Sequence, residues 1–372
     1  MIAVCPSHAD RAYRFFHMAQ SISSPIRIVV DLSVLTTAIY LATATALGHE
    51  GNFLLFVWCA FAPTVTVALG FFVALWWLMQ KRRRRAPARL RVTTLGALLV
   101  AALIPIAREL QYLRADSVSL PQRHSFTLFD MNLLGHRDIT PLVLPEIRAR
   151  NPDIVLLQEV TPEIAAKLQS ELGDVYPCQI TDPRPGSYGM ATLVRHPCER
   201  LPFESTGYWV GRPQITKVTL PNNNLLLAVN LHGIHPHALI DVEGDEGIAG
   251  ELNNTVHARE SAIKELLNYL EPLHNTPSVM TGDLNATMRN RVYSLIRNGG
   301  YRDAWLDTHS LSDIAFRGGT WPFPEYGIPT LLAWILRIDF VLYSKELTPK
   351  RVEILPPNLG SDHRGLLVTF GE

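Results

Sequence analysis

Cysteine is scarce: the 372-residue chain has four. None forms a CxxC pair or a Cys/His set with zinc spacing, which excludes a structural zinc site. Internal repeats and low-complexity tracts are absent, so a solenoid or a tail-like polymer is excluded as well. Net charge is lacking too, with 34 Lys and Arg against 34 Asp and Glu. That balance hides a division. Residues 1–115 carry 12 basic against 4 acidic side chains, leaving 22 against 30 in residues 116–372, a net +8 before the boundary and −8 after it. The acidic part is short of the basic groups that displace counterions from a polyanion, which counts against tight non-specific binding to a duplex. A buried cation would absorb some of its negative charge.

Long apolar runs are present, and they crowd one end. Residues 26–47, "IRIVVDLSVLTTAIYLATATAL", and 53–79, "FLLFVWCAFAPTVTVALGFFVALWWLM", are each long enough to cross a hydrocarbon core. A third run, 92–107, spans if extended through Leu113. A cleavable signal peptide explains one such run at the very start, not two or three beginning after residue 25. Arg11, Arg14, Arg27 and the "KRRRR" of Lys81–Arg85 lie where cytoplasmic loops would be. The expectation is therefore a multi-pass membrane protein: an anchor of two to three transmembrane helices over 1–115, and a domain over 116–372 on the outer, periplasmic or extracellular side. Without the third span the side reverses.

From Ser125 onward short apolar strands alternate with turns: "SFTLFDMN", "DIVLLQE", "ATLVR", "QITKVTL", "LLLAVNLH", "SVMTGDLN", "IDFVLYS", "RVEIL" and "GLLVTF". Helical periodicity marks Ile139–Arg150, Pro162–Leu172, Val256–Leu270 and Arg291–Gly299. This pattern predicts an α+β fold, two mainly antiparallel sheets packed face to face with helices outside, a four-layer αββα sandwich. Gly233–Asn254, acidic and irregular, reads as a surface loop or a lid.

Polar residues recur where those strands stop: Asn132, Glu159, His232, Asp283 with Asn285, Asp339, and Asp362 with His363. Singly, each has a plain reading, such as a helix cap at Glu159, a satisfied core histidine at His232, or side-chain turns at Asp283 and Asp362. Six such elements together point to one site.

These motifs resemble, in order and over Ser125–Glu372, the endonuclease/exonuclease/phosphatase superfamily, and the chain is similar to its membrane-anchored bacterial members. The resemblance rests on Asn132, the "QE" of Gln158–Glu159, His232, the "GDxN" of Asp283 and Asn285, the "RID" of Arg337–Asp339 and the "SDH" of Ser361–His363. It implies a Mg²⁺- or Mn²⁺-dependent phosphoesterase, with Asn132, Glu159 and Asp362 as metal ligands and His232, Asp283, Asn285, Asp339 and His363 as catalytic groups. Leu134 stands where some members carry a second polar residue, and Phe340 where many have histidine.

The chemistry agrees with these residue types. Phosphoester hydrolysis brings an anionic nucleophile to an anionic centre and stabilises a departing oxygen. Mg²⁺ prefers oxygen ligands, so carboxylates and an amide suit it better than a histidine cage. Asp283 is a candidate to activate water or to protonate the leaving oxygen, with Asn285 and His232 donating to phosphoryl oxygens and Asp339 holding His363. Nucleic acid, phospholipid and small phosphate esters all remain open as substrates. A catalytically inactive hydrolase-like domain, serving as a membrane-bound sensor or scaffold, is the alternative; a transporter is disfavoured for lack of a charged pair within the apolar runs. Arg212 and Trp321 are candidates to border the cleft, but they read more simply as a surface arginine and a loop-packing tryptophan and are left out of the core site. Cys178 and Cys198 flank a turn-rich segment centred near Tyr188, and a cross-strand disulfide and two free buried thiols are equally compatible with that spacing.

Overall fold

The computed structural model describes residues 54, 56–61, 96, 103, 125–235, 247–322 and 334–371. The chain divides into two compact units, Met1–His49 with Phe61–Ala107, and Glu50–Ala60 with Arg108–Glu372. The second carries all that follows.

Two six-stranded sheets form this unit. Sheet A contains β1 (Phe126–Asn132), β2 (Ile154–Gln158), β3 (Cys178–Asp182), β4 (Met190–Val194), β11 (Pro349–Ile354) and β12 (Leu366–Phe370), in the order β11-β12-β1-β2-β4-β3. Sheet B contains β5 (Cys198–Leu201), β6 (Gly211–Thr219), β7 (Leu225–His232), β8 (Ser278–Asp283), β9 (Arg302–Asp303) and β10 (Asp339–Tyr343), in the order β5-β6-β7-β8-β10-β9. The sheets are mixed: β1 runs parallel to β2 and β7 parallel to β8, and every other pairing is antiparallel.

Each parallel pair needs a crossover, and a helix supplies it. Helix α1 (Thr140–Arg150) joins β1 to β2, and α3 (Gly247–Leu270) joins β7 to β8. Helix α2 (Pro162–Leu172) starts where Pro162 tolerates the first turn and the Thr161 hydroxyl accepts from Ile164 N. Val143, Leu144 and Ile147 of α1 and Ile164, Leu168 and Leu172 of α2 pack on Phe129, Met131, Val155 and Leu157 of sheet A. Between the sheets and outward to α3 and α4 (Arg291–Asn298) runs a second core containing Leu128, Ile154, Leu156, Ala228, Val279, Leu266 and Tyr293. Two short helices, α5 (Ala304–Thr308) and α6 (Leu311–Phe316), follow β9.

The four predicted helices and nine predicted strands are present. Missed were β3, β5 and β9, which are edge strands with half-exposed or very short faces and no apolar run to betray them. The expected loop at Gly233–Asn254 also ends early, because α3 begins at Gly247; residues 236–246 lie outside the described residues. Cys178 and Cys198 are bonded, with Cα atoms 6.0 Å apart. They are not partners within one hairpin: β3 pairs with β4, placing Cys178 opposite Val194, and Cys198 has moved on to β5 in the other sheet. The bond therefore joins the two sheets along one edge.

The membrane expectation needs correction. Among the described residues no helix is long and apolar enough to cross a membrane. The runs 26–47, 53–79 and 92–107 lie outside the described residues except at 54, 56–61, 96 and 103. Where the second run is described, Phe56 is buried in the same core as the sheets, and Asn290 Nδ2 donates to its carbonyl at 3.0 Å. Apolar length alone does not distinguish a segment that faces lipid from one that packs on protein.

Candidate active site

The parallel pairs decide where the site forms. In β1 and β2, Asn132 stands beside Gln158; in β7 and β8, His232 stands beside Asp283. Asp339, first residue of β10, lies in antiparallel register with Asp283. Asn132, Gln158, His232 and Asp283 thus all leave their sheets at one end of the sandwich, and the Ser361–Arg364 loop enters β12 there, next to Asp130. Ser361 Oγ anchors that loop by donating to Asn132 O at 2.7 Å.

Backbone strain helps to aim the groups. Glu159 and Asn285 sit at positive φ, 60° and 49°, immediately past their strands, where chain direction reverses at some conformational cost. Gly282, at φ 130°, has no room for a side chain, since a Cβ there would stand 2.0 Å from Leu231 O. After Asp283 the chain folds into a side-chain turn, with Asn285 N donating to Asp283 Oδ1 at 2.7 Å. The plain reading of "GDLN" as a turn is correct, and the turn also presents the acid.

Asp283 Oδ2 is the hub. Asn132 Nδ2 lies 3.3 Å from it and Asn285 Nδ2 3.2 Å. His363 Nε2 and His232 Nε2 approach it to 3.6 and 3.7 Å. Burial pushes the Asp283 carboxyl up to about 7, with the His363 charge opposing and Asp339 and Glu159 adding to the rise. The two histidines differ. His363 Nδ1 faces both oxygens of Asp339, at 3.1 and 3.0 Å. Burial disfavours its cation, but Asp339 and Asp283 outweigh that and hold its pKa well above the usual histidine range. His232 is fully buried, and burial, followed by the charges of His235 and His363, pushes it well below that range. The two shifts run in opposite directions, favouring the imidazolium at His363 and the neutral ring at His232.

Glu159 is 6 % exposed. Its Oε1 accepts from Asn132 Nδ2 at 3.1 Å, and its Oε2 from Gly135 N at 2.8 Å. Among the described residues no Lys or Arg pairs with it. The neutral His232 lies 4.0 Å away. A buried carboxylate held only by amides lacks a counter-charge, and a divalent cation with a preference for oxygen fits that need. Asp283, Asp339 and His363 form a second donor group, with their ligand atoms all within 4.8 Å of one another. Asn132 turns its amide nitrogen to the carboxylates, and its Oδ1 accepts from Leu134 N at 3.0 Å. The backbone of Leu134, rather than a polar side chain, is what that position contributes. Asp362 is half-buried, with Oδ2 accepting from Trp321 Nε1 at 3.3 Å.

Beneath the site the sheets are cross-linked by a polar layer. Gln158 Nε2 donates to Asp130 Oδ1 at 2.9 Å and, across the sandwich, to Asn230 Oδ1 at 2.8 Å. Asn230 Nδ2 returns bonds to Leu157 O and Ala191 O. Burial, then the neighbouring Asp339, pushes the Asp130 carboxyl well above the carboxylate range. Arg337 of the "RID" element has a supporting place. Its guanidinium makes a bidentate pair with the fully buried Asp303, at 3.0 and 2.7 Å, and lies 4.5 Å from the Phe340 ring. That contact gives Phe340 a use at the position where histidine was expected.

Eight candidate residues were read from the sequence. Asn132, Glu159, His232, Asp283, Asn285, Asp339 and His363 meet in one cluster, whereas Asp362 is engaged with Trp321. Two residues were missed. His235 Nδ1 stands 3.3 Å from Asn285 Oδ1 and its ring meets His232 edge-on; its signal was its place in "HGIH". Arg259 of α3 donates to the carbonyls of Leu284 and Asn285, and no local pattern marks it.

The sequence profile of the Endonuclease/Exonuclease/phosphatase family matches residues 132–363, running from the first motif residue to the last. The chain belongs to this family. Members of the family are hydrolases acting on phosphoester bonds, typically with a divalent metal. A UPF0294 protein of Photorhabdus laumondii is 27% identical over 237 residues, 61% of this chain and 76% of that protein. Among solved family structures, an endonuclease/exonuclease/phosphatase from Beutenbergia cavernae superposes with a TM-score of 0.51 at 19% identity, covering 67% of this chain and 72% of the other. An AP endonuclease from Archaeoglobus fulgidus gives 0.50 at 17% identity, covering 66% and 100%. These likenesses establish the fold.

Proposed function

We propose that the chain is a divalent-metal-dependent phosphoesterase that attacks phosphodiester or phosphomonoester bonds with water at the Asp283 cluster. One observation carries this reading: three acids (Glu159, Asp283 and Asp339), two amides (Asn132 and Asn285) and two histidines (His232 and His363) converge at one end of the sandwich. Glu159 would hold the cation, oriented by Asn132 Nδ2 and Gly135 N. When bound, Mg²⁺ or Mn²⁺ neutralises charge on the phosphoryl group and favours ionised water.

The protein side of the reaction follows from the charge states. A carboxyl near 7 takes a proton from water at neutral pH without being trapped by it, so Asp283 serves as the general base. His363, a cation held by Asp339, faces the same point and stabilises negative charge growing on the phosphoryl oxygens. Neutral His232 donates a hydrogen bond without adding charge, while the Asn285 amide, donating to Gly233 O at 3.0 Å and Asp283 Oδ2 at 3.2 Å, holds the acid in place.

The test is a screen of the purified chain with Mg²⁺ and with Mn²⁺ against nucleic acids, phospholipids and small phosphate esters. Hydrolysis of at least one class that stops with chelator and in Asp283→Asn is the expected result. An intact chain that binds such substrates and turns over none would replace this reading with that of a binding domain.

A further inference from the structure

The turn that presents Asp283 and Asn285 is held from behind. Arg259, in the middle of α3 and 4 % exposed, donates through Nη2 to Leu284 O at 2.9 Å and Asn285 O at 2.7 Å. Both acceptors belong to the turn, and Asn285 sits there at φ 49°. A single charged donor shared by two successive carbonyls opposes relaxation of that left-handed residue. Downstream, Asn290 Oδ1 accepts from Thr287 N and Thr287 Oγ1, at 2.9 and 2.8 Å, closing the stretch Asp283–Asn290 at its far end.

Both holding residues lead to one place. The Phe56 ring covers the Arg259 guanidinium at 4.5 Å, and the Phe56 carbonyl receives Asn290 Nδ2 at 3.0 Å. Arg289 Nη1 reaches Ala60 O at 3.5 Å. Phe56 is 5 % exposed, and it lies more than two hundred positions from the turn it supports. A ring over a buried guanidinium excludes water from its bonds and adds cation–π attraction, so the strength of the Arg259 bonds depends on Phe56 being in place.

We propose that Arg259 is a positioning residue for the Asp283–Asn285 turn and that the Phe56–Ala60 segment is its clamp, making the geometry of the active site conditional on docking of this N-terminal segment. The proposal rests on the phosphoesterase reading for its effect on rate, and not for its effect on the turn. In that sense the segment is a regulatory element: whatever displaces it loosens the catalytic acid without touching the cleft.

The test compares full-length wild type with Phe56→Ala, Arg259→Met and Arg259→Lys, by hydrogen–deuterium exchange over 283–290 and by Mn²⁺-dependent hydrolysis of bis(p-nitrophenyl) phosphate. Phe56→Ala and Arg259→Met are expected to speed exchange in 283–290 about tenfold or more while β1 and β12 keep their protection. They should lower kcat by about tenfold or more with little change in KM, and Arg259→Lys should recover part of the loss. Unchanged exchange over 283–290 in Phe56→Ala, or a uniform rise throughout the domain, would overturn the proposal. Should wild type fail to hydrolyse the ester, the phosphoesterase reading is what suffers; the exchange comparison still decides the clamp.

Discussion

His363 Nδ1 lies 3.1 and 3.0 Å from the two carboxylate oxygens of Asp339. The contact fixes the ring and selects its charge, since Asp339 is the largest influence favouring the imidazolium against burial. Asp339→Asn removes that charge, so the pKa of His363 falls. The alkaline limb of the kcat/KM profile is expected to move to lower pH by about one unit or more. A pH–rate comparison with wild type checks it, and an unmoved limb with reduced rate would assign His363 a role that does not need its proton.

Asp283 offers a test through stability. Its carboxyl titrates near 7 in the fold against 3.8 as a free group. The folded state therefore binds this proton more tightly, and the group's contribution to stability falls as pH rises from 3.8 toward 7, then levels off. In chelator at pH about 8, Asp283→Asn should raise the melting temperature by a few °C, and the difference should vanish near pH 4. The same variant should lose turnover by about a hundredfold or more. Thermal scans across pH check the first point; a variant less stable than wild type at pH 8 would contradict it.

Glu159→Gln keeps the shape of the side chain and removes its charge. Apparent affinity for Mg²⁺ should weaken by about tenfold or more, with rate partly restored by excess metal. Calorimetric titration with Mg²⁺ measures this without any substrate. Equal affinities in variant and wild type would move the ion from Glu159 to the Asp283, Asp339 and His363 group.

The disulfide calls for the opposite outcome. Cys178 lies in register with Val194 and Ile154, the far end of the strands from Gln158 and Asn132. Cys178→Ala with Cys198→Ala opens a loop with a sequence separation of 20, which should cost about 3 kcal/mol of stability. Metal affinity and kcat should stay within about twofold, because the sheets remain joined near the site by their polar layer. Denaturant unfolding and steady-state kinetics of the double variant check both halves.

Gly282→Ala is a sharper change than its one methyl suggests. With the new Cβ 2.0 Å from Leu231 O and φ at 130°, β7 and β8 must part where His232 and Asp283 are in register. A loss of about 2–4 kcal/mol is expected, together with most turnover. Chemical denaturation measures it; a loss below about 0.5 kcal/mol would mean the strand pair adapts easily.

By itself, the sequence determined the local elements and the chemistry they end on. Alternating apolar runs and their stops marked nine strands, and Asn132, Glu159, His232, Asp283, Asn285, Asp339 and His363 stood at those stops as polar residues that a plain core does not need. Period and turn chemistry are short-range, so they survive in the string. The edge strands β3, β5 and β9 did not, because a short or half-exposed strand needs no apolar pattern. Tertiary structure alone decided which strand ends meet, since the two central parallel pairs and their helical crossovers bring residues far apart in the chain to one end of the sandwich. It also decided that Cys178 and Cys198 join two sheets, that Phe56 packs on Arg259, and that the environments of His232 and His363 favour opposite charge states. Burial and distance to Asp339 set those charges, and neither quantity exists until the chain has folded.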